Sequence, residues 1–477
     1  MSKNLWQTTC RHLLGCDNER FAFLLCGIAE VGGGLTFLAK DAILISDLEV
    51  ERASDGGLQV SLDALLRVTN RARAEQLAIV EAHSHSGTCK PTFSLLDIDG
   101  LKEFVPYILK DIPSMPYAAT VWSGQYIYGV CWKDSFEEEK PLSEIRIVGD
   151  NIIKLFTAST AAGIGKQKEK EAKDRTARQI LMIGREGQRR IEETHVAIIG
   201  LGGIGSQVAI QLAYLGVRNF VLVDFDRIEA TNLNRLLGAG PEQIGMTKVE
   251  IAKRMIQSIA GKRRANVMTF EADLRTIAVL DTIKQADVIF GCVDNDGARL
   301  ILNELTLAYL IPYIDCAAGI NVQDDRIVEA GGRVVVIHPD GPCLLCCNEI
   351  EKAEASDYLA SPEDLEDRKK RGYVSGADIP SPSVVSLNGI ISSVAVTEFM
   401  ALVTGLRPAQ VYTSYNMLQQ CMVTRLVKTD PECVGCSIKG IGDGSNISRY
   451  AKKVAKKGSY WARLFRILRR DVSGGGS

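Results

Sequence analysis

The stretch 198–207, "IIGLGGIGSQ", places glycines at 200, 202, 203 and 205 between an apolar run and a helical one. A glycine turn at that junction lets backbone amides and a helix N-terminus come close to phosphate oxygens. Gly200, Gly202, Gly203 and Gly205 therefore read as a nucleotide loop. Asp224 ends the next strand, 19 residues after Gly205, where a carboxylate can accept a ribose hydroxyl. These features alone divide evenly between a dinucleotide oxidoreductase and a nucleotidyl transferase. The residues that follow separate the two. "DFDRIEATNLNR" puts Asn232 and Arg235 just past Asp224, "GMTKVEIAK" supplies Lys248, and "CVDNDGAR" sets Asp294 at the end of a later strand. Hydride transfer has no use for Asn, Arg and Lys converging on the phosphate end. Expulsion of pyrophosphate from ATP does, because charge builds on the leaving group and cations must balance it. Asp294 would then hold magnesium.

Two further clusters suit metals. Cys343 with Cys346, and Cys433 with Cys436, are CxxC turns able to present four thiolates to one tetrahedral zinc. Four protein ligands leave no open position, so this zinc would be structural; Cys347 is left over. His83 and His85, two of only five histidines, sit in "EAHSHSGTCKPTFSLLD". Alternating at a strand end, their rings point the same way. Asp97 can complete a two-histidine, one-carboxylate zinc site with an open position. Ser94 could steady an oxyanion, and Asp99 is a substitute ligand.

These residues need a scaffold, and 477 residues allow two or three domains. The fold class expected is α/β. Residues 1–145 carry short apolar, strand-like runs at 21–27, 35–37, 42–44, 77–83, 118–122 and 126–132, which suits a small α/β domain. Residues 146–174 read as a polar, helical linker. Over 175–440 apolar strands alternate with helical segments, starting at 195–199, 220–224, 267–271, 288–292, 313–316 and 333–338. That is the pattern of a mostly parallel, doubly wound sheet. Residues 441–477 form a basic tail in which Lys452, Lys453, Lys456 and Lys457 precede Trp461, Leu464, Phe465 and Leu468 on one helical face, before a Gly/Ser end. Such a helix suits a conjugating enzyme, an acidic modifier, a membrane surface or its own domain. Charge is balanced, 56 basic against 58 acidic residues, so no global pull toward nucleic acid exists. The thirteen cysteines are scattered, and neither a signal peptide nor a transmembrane span is visible. A reduced, cytoplasmic, soluble enzyme is expected.

From about 175 to 436 the motifs "RTARQILMIGREGQ", "GLGGIGS", "DFDRIEATNLNR", "GMTKVE", "VDN" and the CxxC pairs occur in order. This region resembles the ubiquitin-activating superfamily, in the ThiF/MoeB-type branch of adenylyltransferases. The resemblance implies a Rossmann-like adenylation domain in which Asp224, Asn232, Arg235, Lys248 and Asp294 bind and activate ATP with magnesium. It implies a homodimer, with Arg178 reaching into the partner's site. Its substrate would be a ubiquitin-like protein ending in glycine, converted to an acyl-adenylate and handed on to a conjugating enzyme. Many relatives first pass the acyl group to a cysteine between the CxxC segments. Here "RGYVSGADIPSPS" contains none. The acyl group stops at the adenylate, or a serine accepts it (Ser375, Ser381 or Ser383), or Ala377 stands where a cysteine belongs. Ser375 is the preferred acceptor, with Asp378 near to take its proton.

The stretch around His83 resembles the JAMM motif of MPN/JAB metallo-isopeptidases. That implies zinc-dependent cleavage after a ubiquitin-like C-terminus, with a glutamate as general base. Two departures appear: Glu19 falls one position early for that base, and the His85-to-Asp97 spacing is one residue long. A β-bulge at each place would absorb them. One chain would then both write and cut a bond at the same C-terminus, as in bacterial ubiquitin-like conjugation operons linked to antiviral defence. The alternatives are an adenylyltransferase for a sulfur carrier in cofactor or cysteine biosynthesis, and a catalytically degenerate module that only binds a ubiquitin-like protein.

Overall fold

A computed structural model describes every residue except 17, 53–57, 86–89, 125, 158–174, 262–263, 362–363, 367–381 and 453–477. Ser375, Ala377, Asp378, Ser381 and the Trp461 helix fall outside the described residues.

The apolar runs near the N-terminus become one six-stranded sheet in the order Gly34–Leu44, Phe21–Val31, Ala78–Ser84, Tyr117–Ser123, Tyr126–Trp132 and Lys140–Pro141. One pair, Ala78–Ser84 with Tyr117–Ser123, is parallel, and its crossover carries the helix Leu95–Asp111. Ser94 starts that helix. Its hydroxyl accepts the Asp97 N–H at 3.1 Å, and its own N–H donates to Asp97 Oδ2 at 2.6 Å, a reciprocal cap that satisfies two free donors. Phe23, Leu25, Ile79, Val105, Tyr117 and Trp132 fill the core beneath.

The second sheet has eight strands. Asn266–Phe270, Asn219–Val223, His195–Ile199, Val288–Gly291 and Tyr313–Gln323 lie parallel in that order. Arg326–Ile337, Tyr412–Asn416 and Cys421–Thr424 then continue it antiparallel. The parallel part is as expected from sequence; the antiparallel extension is a correction. Tyr313–Gln323 and Arg326–Ile337 are far longer than the runs 313–316 and 333–338, because in their outer halves exposed Val322, Ile327 and Val328 are interrupted by Gly, Asn, Gln, Arg and Glu and make no continuous apolar run. Asp324 and Asp325, at φ +47° and +58°, turn between them as a type I′ hairpin requires. Helix Val385–Thr404 is, among the described residues, the one helix long and apolar enough to cross a membrane. It is a core helix: Ile391, Ala395, Phe399 and Leu402 pack in one cluster with Val208 and Leu212 of helix Gly203–Leu215.

Residues 146–156, expected as the start of a helical linker, are not helical. Glu144–Val148 and Ile152–Phe156 pair as an antiparallel hairpin, in keeping with its β-branched residues Ile145, Ile147, Val148, Ile152 and Ile153. This hairpin grips the second unit. Arg146 and Lys154 each reach Asp287 at 2.9 Å. Burial opposes the Asp287 charge, but the two cations outweigh it and hold the carboxyl below its usual range. The boundary expected at 441 is also crossed. The segment after Cys436 returns to the first sheet, where the Gly27 N–H donates to the Gly440 carbonyl at 3.1 Å and Ile28 bridges Gly442. Glu30 N–H donates to Asp443 Oδ2 at 2.9 Å, and Tyr309 O–H to Asp443 Oδ1 at 2.6 Å.

Gly27 is there because a side chain has no room: a Cβ would lie 2.1 Å from the Gly440 oxygen and 2.4 Å from that of Ile441. Gly27→Ala should therefore cost about 1–3 kcal/mol, as overpacking does, and lower the melting midpoint by several degrees. Gly100→Ala, on the helix Leu95–Asp111 with nothing within 4 Å of its absent Cβ, should be neutral or stabilising. Equal melting of Gly27→Ala and the unsubstituted chain would show that the returning segment does not bear on the first sheet.

Candidate functional sites

The strand His195–Ile199 ends in Gly200, whose φ of +87° suits glycine. A Cβ there would meet the Cys292 carbonyl at 2.5 Å, and one on Gly205 would meet the Gly200 carbonyl at 1.9 Å. The loop thus folds against the exit of strand Val288–Gly291, just before exposed Asp294. Gly202 caps helix Gly203–Leu215 and faces open space, so the free amides of that N-terminus are available to an anion. Asp224 is buried and accepts the Leu201 N–H at 2.6 Å and the Asp226 N–H at 2.8 Å. Burial raises its pKa, against the pull of Lys248. Thr247 caps helix Lys248–Ala260, and Lys248 Nζ lies 2.6 Å from Asp226 Oδ2.

Arg235 stands at the same helix N-terminus, its Cδ 3.4 Å from where a Gly203 Cβ would be. Its guanidinium donates to the Thr231 carbonyl at 2.7 Å and to Asn234 Oδ1 at 3.1 Å. The fold thus gathers the glycine loop, Asp224, Lys248 and Arg235. Asn232 is turned to its own loop, where its Oδ1 accepts the Glu229 N–H at 3.2 Å. Arg178 lies exposed on helix Ala177–Glu193, just before Leu181 and Met182, which are 87% and 61% exposed.

Two contributors here leave little mark in the sequence. Asn388, buried on the late helix, would be 2.1 Å from a Gly203 Cβ and donates to Ser383 Oγ at 3.1 Å. Arg299 donates to the Val293 carbonyl at 3.0 Å and pairs with Asp296, bracing both sides of Asp294. Behind it, fully buried Asp315 accepts from Tyr313 O–H at 2.6 Å and pairs with Arg333, which also meets Glu349. A polar residue amid an apolar helix is the one signal for Asn388. The ion network has none, because its members are far apart in the chain.

The four CxxC cysteines meet. Sγ separations are 3.5 Å for Cys343 and Cys433, 3.6 Å for Cys346 and Cys436, and 3.7 Å for Cys343 and Cys346. Zinc–sulfur bonds of about 2.3 Å put tetrahedral sulfurs about 3.8 Å apart, so the cluster fits zinc. Without a cation the thiols compete: hydrogen bonding, chiefly from Cys436, lowers Cys343 to about 5, while burial pushes Cys433 up to about 11. Burial also pushes Cys347 up to about 12, which suits an unreactive packing thiol.

In the first sheet His83 Nε2 stands 3.6 Å from Asp97 Oδ1, and His85 Nε2 stands 3.3 Å from Asp97 Oδ2. Ligands on a tetrahedral zinc with bonds of about 2.0–2.1 Å stand about 3.4 Å apart, so this set fits as well. Neither ring nitrogen of buried His83 has a hydrogen-bond partner, a costly state that a metal would relieve. Burial opposes protonation of His83, but Asp97 and Glu81 outweigh it and raise the pKa to about 9. Ser94 Oγ is engaged as a cap acceptor but keeps its hydroxyl proton to donate. Asp99 is not a ligand: it pairs with Lys102 at 2.8 Å and is 71% exposed.

Among the described residues neither expected bulge appears. Phe21 through Cys26 pair without interruption with His83 through Ala78, and the bulge at Leu25/Cys26 faces the other neighbour, Gly34–Leu44. Residues 86–89, between His85 and Asp97, lie outside the described residues. Ser84 N–H donates to the Arg20 carbonyl at 3.0 Å and Arg20 N–H donates to Ser84 Oγ at 3.0 Å, and half-buried Glu19 directly precedes Arg20. Glu81 is a member of this site that the motif does not point to, although it shares a face with His83 by strand alternation. Its Oε1 is 3.5 Å from His83 Nδ1, and its Oε2 accepts Tyr117 O–H at 2.5 Å.

Residues 176–435 match the family model described as the ThiF family. Ubiquitin-like modifier-activating enzyme 5 of Drosophila willistoni is 28% identical over 257 residues, covering 51% of this chain and 58% of that protein. Adenylyltransferase and sulfurtransferase MOCS3 of Culex quinquefasciatus is 29% identical over 175 residues, covering 36% of this chain and 37% of that protein. The crystal structure of E. coli MccB with ATP aligns at a TM-score of 0.44 and 18% identity, over 56% of this chain and 75% of that one. The chain spans less than two thirds of the length of these two curated relatives. The family match takes in more than half of the chain, including the glycine loop and three of the four clustered cysteines, and this chain belongs to the ThiF family.

Proposed function

We propose that this chain uses ATP to adenylate the C-terminal glycine of a ubiquitin-like protein, and that its N-terminal sheet is a zinc-dependent isopeptidase of the MPN/JAB type acting on the same C-terminus. One observation carries the first half: Arg235 and Lys248 flank a glycine loop and an open helix N-terminus at the carboxyl ends of parallel strands. A substrate carboxylate oxygen would attack the α-phosphorus, and the bond to pyrophosphate would break. The leaving group takes up negative charge, which Arg235, Lys248 and the helix amides would offset. Asp294 would hold magnesium, which adds charge neutralisation there. Asp224 would accept the ribose hydroxyl. Ser375 remains our choice of acyl acceptor.

For the second half, His83, His85 and Asp97 would hold a zinc that polarises the scissile carbonyl and activates water. Glu19 would take a proton from that water and return it to the leaving amine, and Ser94 O–H would donate to the oxyanion. The cysteine set would hold a structural zinc. A sulfur-carrier substrate is the second reading, favoured by the similarity to the adenylyltransferase and sulfurtransferase. A homodimer would bring Arg178, with exposed Leu181 and Met182 beside it, to the neighbouring subunit's site.

Three outcomes are expected. With a glycine-ended modifier the chain should catalyse magnesium-dependent ATP–pyrophosphate exchange, and Asp294→Ala should lower it at least ~100-fold, the scale for losing a charge-stabilising group. Full exchange in that variant would overturn the assignment of Asp294. Light scattering should give twice the chain's mass. Mixing inactive Arg178→Ala with inactive Asp294→Ala should restore about a quarter of the activity, since half the dimers then hold one intact site; no recovery on confirmed mixing would refute sharing. Metal analysis should find two zincs per chain, one labile to chelator, and His83→Ala should lose that one along with modifier cleavage while exchange survives.

A further inference from the structure

We infer that Glu81 is the positioning residue of the first-sheet metal site, holding the His83 imidazole so that Nε2 and not Nδ1 faces Asp97. This rests on reading His83, His85 and Asp97 as a zinc site. Glu81, His83 and His85 share one face of the strand end by alternation. Glu81 is not a spare surface acid. Its side chain is 16% exposed, and fully buried Tyr117 fixes one oxygen through a 2.5 Å hydrogen bond. The other oxygen stands 3.5 Å from Nδ1 of His83, which has no hydrogen bond of its own. Phe21 and Phe93 flank the imidazole at ring separations of 5.6 and 6.0 Å, so they offer Nδ1 no polar alternative.

A neutral imidazole carries one ring proton. A carboxylate accepts only, so facing Glu81 favours the tautomer with the proton on Nδ1. The lone pair is then on Nε2, which points at Asp97 and toward the nitrogen of His85. Tyr117 contributes separately, because its O–H keeps Glu81 from swinging toward the cavity and becoming a fourth ligand. The outer carboxylate also makes the imidazole a stronger donor to zinc.

The test uses the full chain, stripped of its labile zinc and titrated with zinc alone against a chromophoric chelator. The unsubstituted chain should take up one further zinc. Glu81→Gln should bind it about tenfold more weakly and Glu81→Ala up to about a hundredfold, the range for outer partners of ligating histidines. Tyr117→Phe should shift it in the same direction by less. With cobalt in place of zinc, the visible absorption bands of the Glu81 variants should shift, while Glu81→Gln, whose amide oxygen can still accept from Tyr117, should keep its metal-free melting near that of the parent. Equal zinc affinity in parent and Glu81 variants would overturn the role of Glu81. If Glu81→Gln and Glu81→Ala do not fold, Tyr117→Phe carries the same comparison, and unchanged affinity there would likewise overturn it. A parent that takes up no labile zinc, behaving like His85→Ala, would overturn the metal reading beneath it.

Discussion

A carboxylate with no solvent exposure governs the middle of the large sheet. Asp315 cannot remain charged there unless cations and donors surround it, and stripping one partner from a buried ion pair costs about 3–5 kcal/mol. Arg299, Arg333 and the Tyr313 hydroxyl supply that surround. Each partner brings its own element with it. Arg299 ties in the loop around Asp294, and Arg333 ties in the antiparallel strand Arg326–Ile337. Through Glu349, Arg333 also reaches the chain that leaves the cysteine cluster, where Tyr412 donates to Glu349 at 2.5 Å. The parallel half, which holds the glycine loop, and the antiparallel half, which leads into the cysteine cluster, are joined by this charge set.

That dependence explains which parts can be read from residues alone. Parallel strands are covered on both faces, so 195–199, 220–224 and 288–292 appear as unbroken apolar runs. The CxxC pairs and the glycine loop are local patterns; the fold brings the four cysteines together in one place and sets the glycine loop beside Asp224, Arg235 and Lys248 in another. Antiparallel strands such as Tyr412–Asn416 and Cys421–Thr424 have an exposed face and leave little trace. Residues 146–156 mislead because the Lys/Glu-rich composition just beyond them hides the strand preference of their own β-branched residues. Arg299, Asp315 and Arg333 pair across long separations, and Glu81 looks like an ordinary strand acid until Tyr117 and His83 are placed beside it.

Asp97 shows how closely a helix cap and a contact with two histidines can be joined. Its backbone N–H and one carboxylate oxygen close the reciprocal cap with Ser94, while both oxygens face the histidines. The cap fixes a side chain that would otherwise be free to rotate on the first turn of a helix. The carboxylate is therefore fixed beside both imidazoles by the helix itself, an arrangement that would lower the ordering entropy of binding a metal there.

The first sheet is held from two directions, by the hairpin 144–156 ahead of residues 158–174 and by the segment that returns after Cys436. The covalent link between the units is thus not what keeps them together. For heredity this has an effect that a linear domain map hides. A recombination event that exchanged the N-terminal unit at 158–174 would bring in Arg146, Lys154 and Gly27 without the Asp287 and the Gly440–Asp443 turn they fit. The transferable unit is both ends of the chain at once, so the two halves are expected to have diverged in step, as two proteins sharing an interface do, even though a single gene encodes them.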